Sequence, residues 1–223
     1  ARAGRVNQLD RPVDSLAPCG AKFWHAAVVS TLDLGLCTPG CTLESLLLET
    51  KEKVHLITTA VEHKCVLEAF KRCEEFGAEI TILPVDEYGC VNVQQIEAAL
   101  RPETKLVSVI FANNEIGSIN PIAEIGALCK EHAVLFHTDA AQAFGKIPID
   151  VEAMNIDFLS ISAHKIYGPK GVGALFSKTT ASQNLKPLIA GGGQESGVRA
   201  GTLNVAGIIG LGKAAELAQD EMT

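Results

Sequence analysis

Residues 135–176 read LFHTDAAQAFGKIPIDVEAMNIDFLSISAHKIYGPKGVGALF. Two apolar runs stand out, AVLFHTD at 133–139 and FLSISAH at 158–164, and each leads into a chemically capable side chain, Asp139 in the first case and Lys165 in the second. A short run that is apolar almost throughout, instead of alternating with polar residues, is the pattern of a parallel strand buried on both faces. Ligands of open parallel sheets sit outside the carboxyl ends of the strands. Asp139 and Lys165 are therefore expected to face one crevice.

Working outward, helix-like and strand-like segments alternate in short order, which is the α/β pattern. VHLITTA (54–60) reads as a strand, HKCVLEAFKRCEEFG (63–77) as an amphipathic helix closing on Gly77, and EITILPV (79–85) as the next strand. The turn DEYG follows at 86–89. VNVQQIEAALR (91–101) is a second helix and KLVSVIFA (105–112) a buried strand. PIAEIGALCKEH (121–132) is a helix with Pro121 expected at its first position, where a missing N–H costs nothing. On the other side of the opening stretch, GALFSK (173–178) is a short strand, a loop ends in glycines 191–193, and NVAGIIGLGKAAELAQDEM (204–222) is a closing helix. Residues 1–53 mix Pro, Gly, Cys and isolated apolar residues without a sustained period of 2 or 3.6 and specify no packed element.

The chain has 223 residues, 47% of them hydrophobic, which is enough for one sizeable core. Its net charge of −7 and pI near 5.4 provide no basic field for a phosphate backbone, so nucleic acid is excluded as a partner. No stretch reaches the roughly 18–20 continuous apolar residues of a membrane span, and the first residues lack the apolar core of a signal peptide. A soluble intracellular protein is expected, placed in the cytoplasm, with the mitochondrial matrix as the alternative. The seven cysteines are an odd number with no C-x-x-C pair, so reduced thiols are the default. Cys37 and Cys41 lack the second Cys/His pair that a zinc site needs, and no metal is expected.

An Asp and a Lys converging at strand ends are what pyridoxal phosphate requires: one carboxylate to keep the pyridine nitrogen protonated and one amine to hold the aldehyde. Taken singly, Asp139 is as well explained by capping the segment AAQAFG and Lys165 by solvation in a loop. Ser162 and His164, with glycines 168, 171 and 173 beside them, add a place for a phosphate.

The motifs TTAVEHKCVL, FANNEIGSINPIAEIG, FHTDAAQAFGKIPIDV, SISAHKIYGPKGVGALF and GGGQESGVRAGTLNV, in that order, resemble the class V aminotransferase group of pyridoxal phosphate enzymes. Within it they are similar to the cysteine desulfurases that feed iron–sulfur cluster assembly. The resemblance covers about residues 54–222. It implies a fold type I large domain, with a mainly parallel sheet of the seven-stranded type and flanking helices. It implies that Lys165 holds the cofactor, Asp139 pairs with the pyridine nitrogen, Gln142 bonds the phenolic oxygen, and His63 stacks on the ring and moves protons. Asn114 matches a position near the cofactor oxygen and the substrate carboxylate, and Ser162 and His164 match phosphate contacts. Thr202 matches a residue that reaches the phosphate of a neighbouring subunit, which implies a homodimer. L-cysteine is the implied substrate, giving alanine and an enzyme-bound persulfide, with an iron–sulfur scaffold protein as a further partner. Selenocysteine lyases share the motifs, and a catalytically inactive cofactor-binding or dimerisation fragment is the reading from another class.

Plainer roles stay open for several of these residues: His63 as a helix N-terminal histidine, Asn113 and Asn114 as turn residues, and Thr202 as a cap of the last helix. The family's phosphate loop of the form TSGATES has its nearest match in TPGCTLES at 38–45, with an extra Leu43 and with Pro39 removing one donor. Cys41 and Thr42 are its candidate cofactor contacts, with a simple turn as the alternative. The expected organisation is therefore a segment 1–53 holding a degenerate phosphate loop and a cofactor-binding large domain at 54–223. The small C-terminal domain, the persulfide cysteine and the carboxylate-clamping arginine are expected to be absent, so that this chain does not complete desulfuration.

Overall fold

A computed structural model describes residues 53–178, 185, 187 and 191–222. Six strands form one sheet: β1 (His55–Thr59), β2 (Glu79–Leu83), β3 (Thr104–Ser108), β4 (Leu135–Asp139), β5 (Phe158–Ser162) and β6 (Gly173–Ser177). Their order across the sheet is β2-β1-β3-β4-β5-β6. The first five are parallel, and β6 runs antiparallel to β5. Among the described residues there are four α-helices: α1 (Lys64–Glu75), α2 (Val93–Ala99), α3 (Ile122–Glu131) and α4 (Val205–Glu221). None of the helices among the described residues is long and apolar enough to cross a membrane.

The sheet is covered on both sides over β1, β3, β4, β5 and β6, whose residues are buried almost throughout, while the edge strand β2 is largely open. Successive side chains of a strand point to opposite faces, and the two clusters of buried residues divide accordingly. Leu56, Leu106, Phe158 and Leu175 pack with Val66, Phe70 and Cys73 of α1. Ile57, Val107, Phe136 and Leu159 pack on the other face with residues of α2, α3 and α4, among them Ile96, Ile125 and Leu211. Phe136 and Phe158 are fully buried. Each such aromatic or aliphatic side chain contributes about 1.5–3 kcal/mol on leaving water, so the two faces together carry the stability of the domain. Gly126 of α3 shows how close the approach is: an added Cβ would lie 1.9 Å from the carbonyl oxygen of Met154.

Local signals worked as expected at the DEYG turn, where Asp86 Oδ1 accepts the Tyr88 and Cys90 amides at 2.9 and 2.8 Å and Gly89 takes φ +80°. Two expectations shift. Pro121 occupies the capping position just before α3 and not its first residue. Lys165 lies three residues past the end of β5, in a short 3-10 segment, Ala163–Ile166. The chain then turns through Tyr167 at φ 63° into β6, with the Ala163 amide donating to Val172 O at 3.0 Å. Cys90 and Cys129 are free thiols, and burial pushes Cys129 up to about 12, so it is inert.

Candidate active site

Five parallel strands deliver their carboxyl ends to one edge of the sheet, and the side chains on the α1 face of that edge change from apolar to polar. Register places Ser108 level with His137, and Asp139 level with Ser160. His137 is buried and bridged on both ring nitrogens, Nδ1 to Ser108 Oγ at 2.8 Å and Nε2 to Ser160 Oγ at 2.9 Å. Burial pushes it down to about 3, so it is neutral at physiological pH. Two residues on, Asp139 closes β4, buried, with Oδ1 accepting the Ala141 amide at 2.9 Å. The bond to Ala141 is the capping contact expected of Asp139 as a simple turn former, so that role and a ligand-facing role coexist.

Burial raises the Asp139 carboxyl above the ordinary carboxylate range, and the Ala141 bond, His63 and Lys165 all act to hold it down. His63 and Lys165 thus both act on one buried carboxyl, although 102 positions separate them in sequence. His63 is the residue at the N-terminus of α1; its Nδ1 accepts the Cys65 amide at 3.3 Å and lies 2.8 Å from Cys65 Sγ. Lys165 is exposed. Beside it, Ser162 Oγ and His164 Nδ1 are 3.0 Å apart. Burial, and after it the charges of Lys165 and Lys170, lowers the His164 imidazole, so that two cations and a neutral ring line this corner.

The other expected residues are placed less directly. Gln142 is half-buried three residues after Asp139, and its Oε1 accepts from Lys146 Nζ at 3.1 Å. Asn114 is exposed and carries none of the turn bonds; Asn113 takes them, with Oδ1 accepting from Glu115 and Ile116 and Nδ2 donating to Val61 O at 2.9 Å. Thr202 is exposed and hydrogen-bonds to none of these residues among those described. It does not cap α4 either, since Asn204 does so by accepting from the Gly207 amide. Cys41 and Thr42 lie outside the described residues.

Glu62 and His137 are the two residues here that the sequence reading passed over. Glu62, one position before His63, is buried, and its Oε1 accepts from Thr59 Oγ1 and from the Ile110 amide, both at 2.7 Å. The only signal in the sequence was an acidic residue inside an apolar strand-to-helix junction. His137 sat in a strand read for its hydrophobicity.

Residues 40–222 match the family model described as aminotransferase class V. The chain belongs to this family. A mitochondrial cysteine desulfurase from Eremothecium gossypii is 57% identical over 171 residues, 77% of this chain and 35% of that protein. Cysteine desulfurase IscS from Clostridium botulinum is 58% identical over 172 residues, 77% of this chain and 43% of that protein. Among solved structures, SspA in complex with cysteine superposes with a TM-score of 0.82 at 40% identity, covering 96% of this chain and 63% of that one. The class V chain thus spans about a third to two-fifths of the length of these two curated relatives. Its six-stranded sheet is that of the large domain of a fold type I enzyme.

Proposed function

We propose that this domain binds pyridoxal 5′-phosphate and forms the cofactor-binding part of a cysteine desulfurase, which takes sulfur from L-cysteine, leaves alanine, and passes the sulfur on as an enzyme-bound persulfide. The observation that carries the proposal is the buried Asp139 carboxyl at the end of β4, with Lys165 and His63 near enough at the carboxyl edge of a parallel sheet to act on it electrostatically. The donor set fits the cofactor. Asp139 is a buried carboxyl with one hydrogen bond among the described residues, and a protonated ring nitrogen supplies the positive charge that its burial otherwise lacks. Bound there, the cofactor supplies an electron sink that weakens bonds around the substrate Cα.

The rest of the work falls to this chain's own side chains. Lys165 presents its amine to the aldehyde from a segment pinned at both ends by the Ala163 amide bond to Val172 and the Gly168 amide bond to Ala163. His63 engages Nδ1 with the Cys65 amide, which leaves Nε2 as the nitrogen for moving a proton. Gln142 spends its carbonyl on Lys146 and keeps its amide group to donate to the phenolic oxygen. Ser162 and His164 hold the phosphate, joined by Cys41 and Thr42, and Asn114 serves the substrate carboxylate. Thr202 completes a neighbouring subunit's site in a homodimer, consistent with its exposure and its lack of local partners among the described residues. An iron–sulfur scaffold protein receives the sulfur, and the mitochondrial relative supports the matrix over the cytoplasm.

Adding pyridoxal 5′-phosphate to the purified chain should produce a visible absorption band that Lys165→Ala abolishes. A folded chain that gives no band, or a band that persists in Lys165→Ala, sinks the reading.

A further inference from the structure

Glu62 has no role in the reaction as laid out above, yet it is buried and ties two parts of the chain together. It is 6% exposed and sits between two segments that each carry a residue of the site. On one side, Thr59 ends β1 and the chain runs through Val61 to His63; on the other, Ile110 follows β3 and the chain runs on to Asn114. Glu62 Oε1 joins the two by accepting from the Thr59 hydroxyl and the Ile110 amide at 2.7 Å each. Two further bonds run in parallel: Asn113 Nδ2 to Val61 O at 2.9 Å and Asn120 Nδ2 to Ile110 O at 2.8 Å. Both donors to the Glu62 carboxyl converge on one oxygen. The other, Oε2, is buried without a hydrogen-bond partner.

An ionised carboxylate with one oxygen sealed from water and given no donor is a costly arrangement, whereas a carboxylic acid accepts on its carbonyl oxygen and needs no compensating charge. We propose that Glu62 is a positioning residue for this site: its buried carboxyl clasps the loop that carries His63 to the end of β3, and it does so as the neutral acid. The titratable groups that act on it are Asp139 at the end of β4 and Cys65 in the first turn of α1. Burial first, then Asp139 and Cys65, raises Glu62 to about 8, against the pull of the Thr59 and Ile110 bonds. Among the described residues, a neutral Glu62 leaves Asp139 the single buried carboxyl available to a cationic ring nitrogen.

This inference rests on the pyridoxal phosphate reading for its functional half and is independent of it for its chemical half, so the test has two arms. In the first, pyridoxal 5′-phosphate affinity of the chain is measured by equilibrium dialysis at pH 7. Glu62→Gln keeps the accepting oxygen and should bind within about twofold of the parent, while Glu62→Ala, which removes the clasp, should bind at least about tenfold more weakly. In the second arm, urea midpoints are followed from pH 5 to 9.5 without cofactor. A raised folded-state value means that the unfolded chain releases the proton first, so the parent loses stability as pH rises, down to a level reached above about 8. Glu62→Gln should lack that loss, and its advantage over the parent should grow with pH and then level off.

Thr59→Val, which removes one donor and leaves the carboxyl in place, should weaken cofactor binding by less than Glu62→Ala. Cofactor binding equally poor in Glu62→Gln and Glu62→Ala would overturn the neutral acid. So would parallel stability profiles of the parent and Glu62→Gln. Parent-like binding by a folded Glu62→Ala would overturn the clasp. A parent that binds no cofactor at all, with the stability arm as expected, would instead remove the cofactor reading and leave Glu62 as a neutral clasp.

Discussion

The two ends of the same sheet handle charge in opposite ways. At the amino end, Glu79 at the start of β2 is about half exposed and faces two cations, Arg101 at 2.8 Å and Lys53 at 3.6 Å. His55, at the start of β1, is bridged by Thr104 and Thr81 hydroxyls at 2.8 Å each. Opposite charges there are paired within reach of water, which costs little and contributes little. At the carboxyl end, Asp139 and Glu62 are buried with no cation in hydrogen-bonding contact among the described residues, while Lys165 is left exposed in solvent. A fold optimised only for stability would pair or remove such carboxyls. The cost of burying them at this end is what the proposed cofactor site accounts for.

Three substitutions probe that contrast. Asp139→Asn should lower pyridoxal 5′-phosphate affinity by about 100-fold, as expected for losing a charge opposite a cationic ring nitrogen in a site shielded from water. The same variant should unfold at equal or higher urea concentration than the parent. Because the folded-state value is raised, its advantage should widen as pH climbs above the ordinary carboxylate range. Affinity within threefold of the parent would show that the buried charge is not aimed at the ligand.

His137→Leu should cost about 2 kcal/mol at pH 7, since it strands two buried serine hydroxyls. His137 is depressed from 6.5 to about 3, so its contribution is complete above 6.5 and is lost as pH falls towards 3. The gap between parent and variant should therefore narrow between pH 7 and pH 4; a gap independent of pH would contradict the neutral bridge. Glu79→Gln should move stability by less than about 1 kcal/mol, an effect that fades in 1 M salt. A salt-independent loss of several kcal/mol there would erase the contrast between the ends.

Much of this arrangement was legible in the residues alone. Six strands and four helices among the described residues follow from hydrophobic period and punctuation, as at Gly77 and the DEYG turn, and Asp139 ends β4 as its strand pattern implies, whereas Lys165 falls three residues beyond β5. Direction did not follow: GALFS is five residues buried on both sides, and nothing in such a run states whether it pairs parallel or antiparallel. Nor did Glu62. Its burial depends on the Ile110 amide, 48 positions away, being free to donate at the end of β3, and that is a fact of tertiary register. Asn113 and Asn114 were read together, yet only the fold separates the one that builds the turn from the one left exposed.

The reversal at β6 has a consequence for the lysine. In a parallel crossover, a residue beyond a strand end is tethered closely on one side only, with a long excursion before the chain returns. Here β5 and β6 are neighbours, and the Ala163 amide bond to Val172 closes the connection, so Lys165 hangs from a loop of eight residues, 164–171, whose two roots are locked by the sheet. Loop closure costs entropy once, when the sheet forms. The backbone that carries Lys165 is thereby fixed by the sheet itself, ahead of any ligand, which narrows the space its side chain samples.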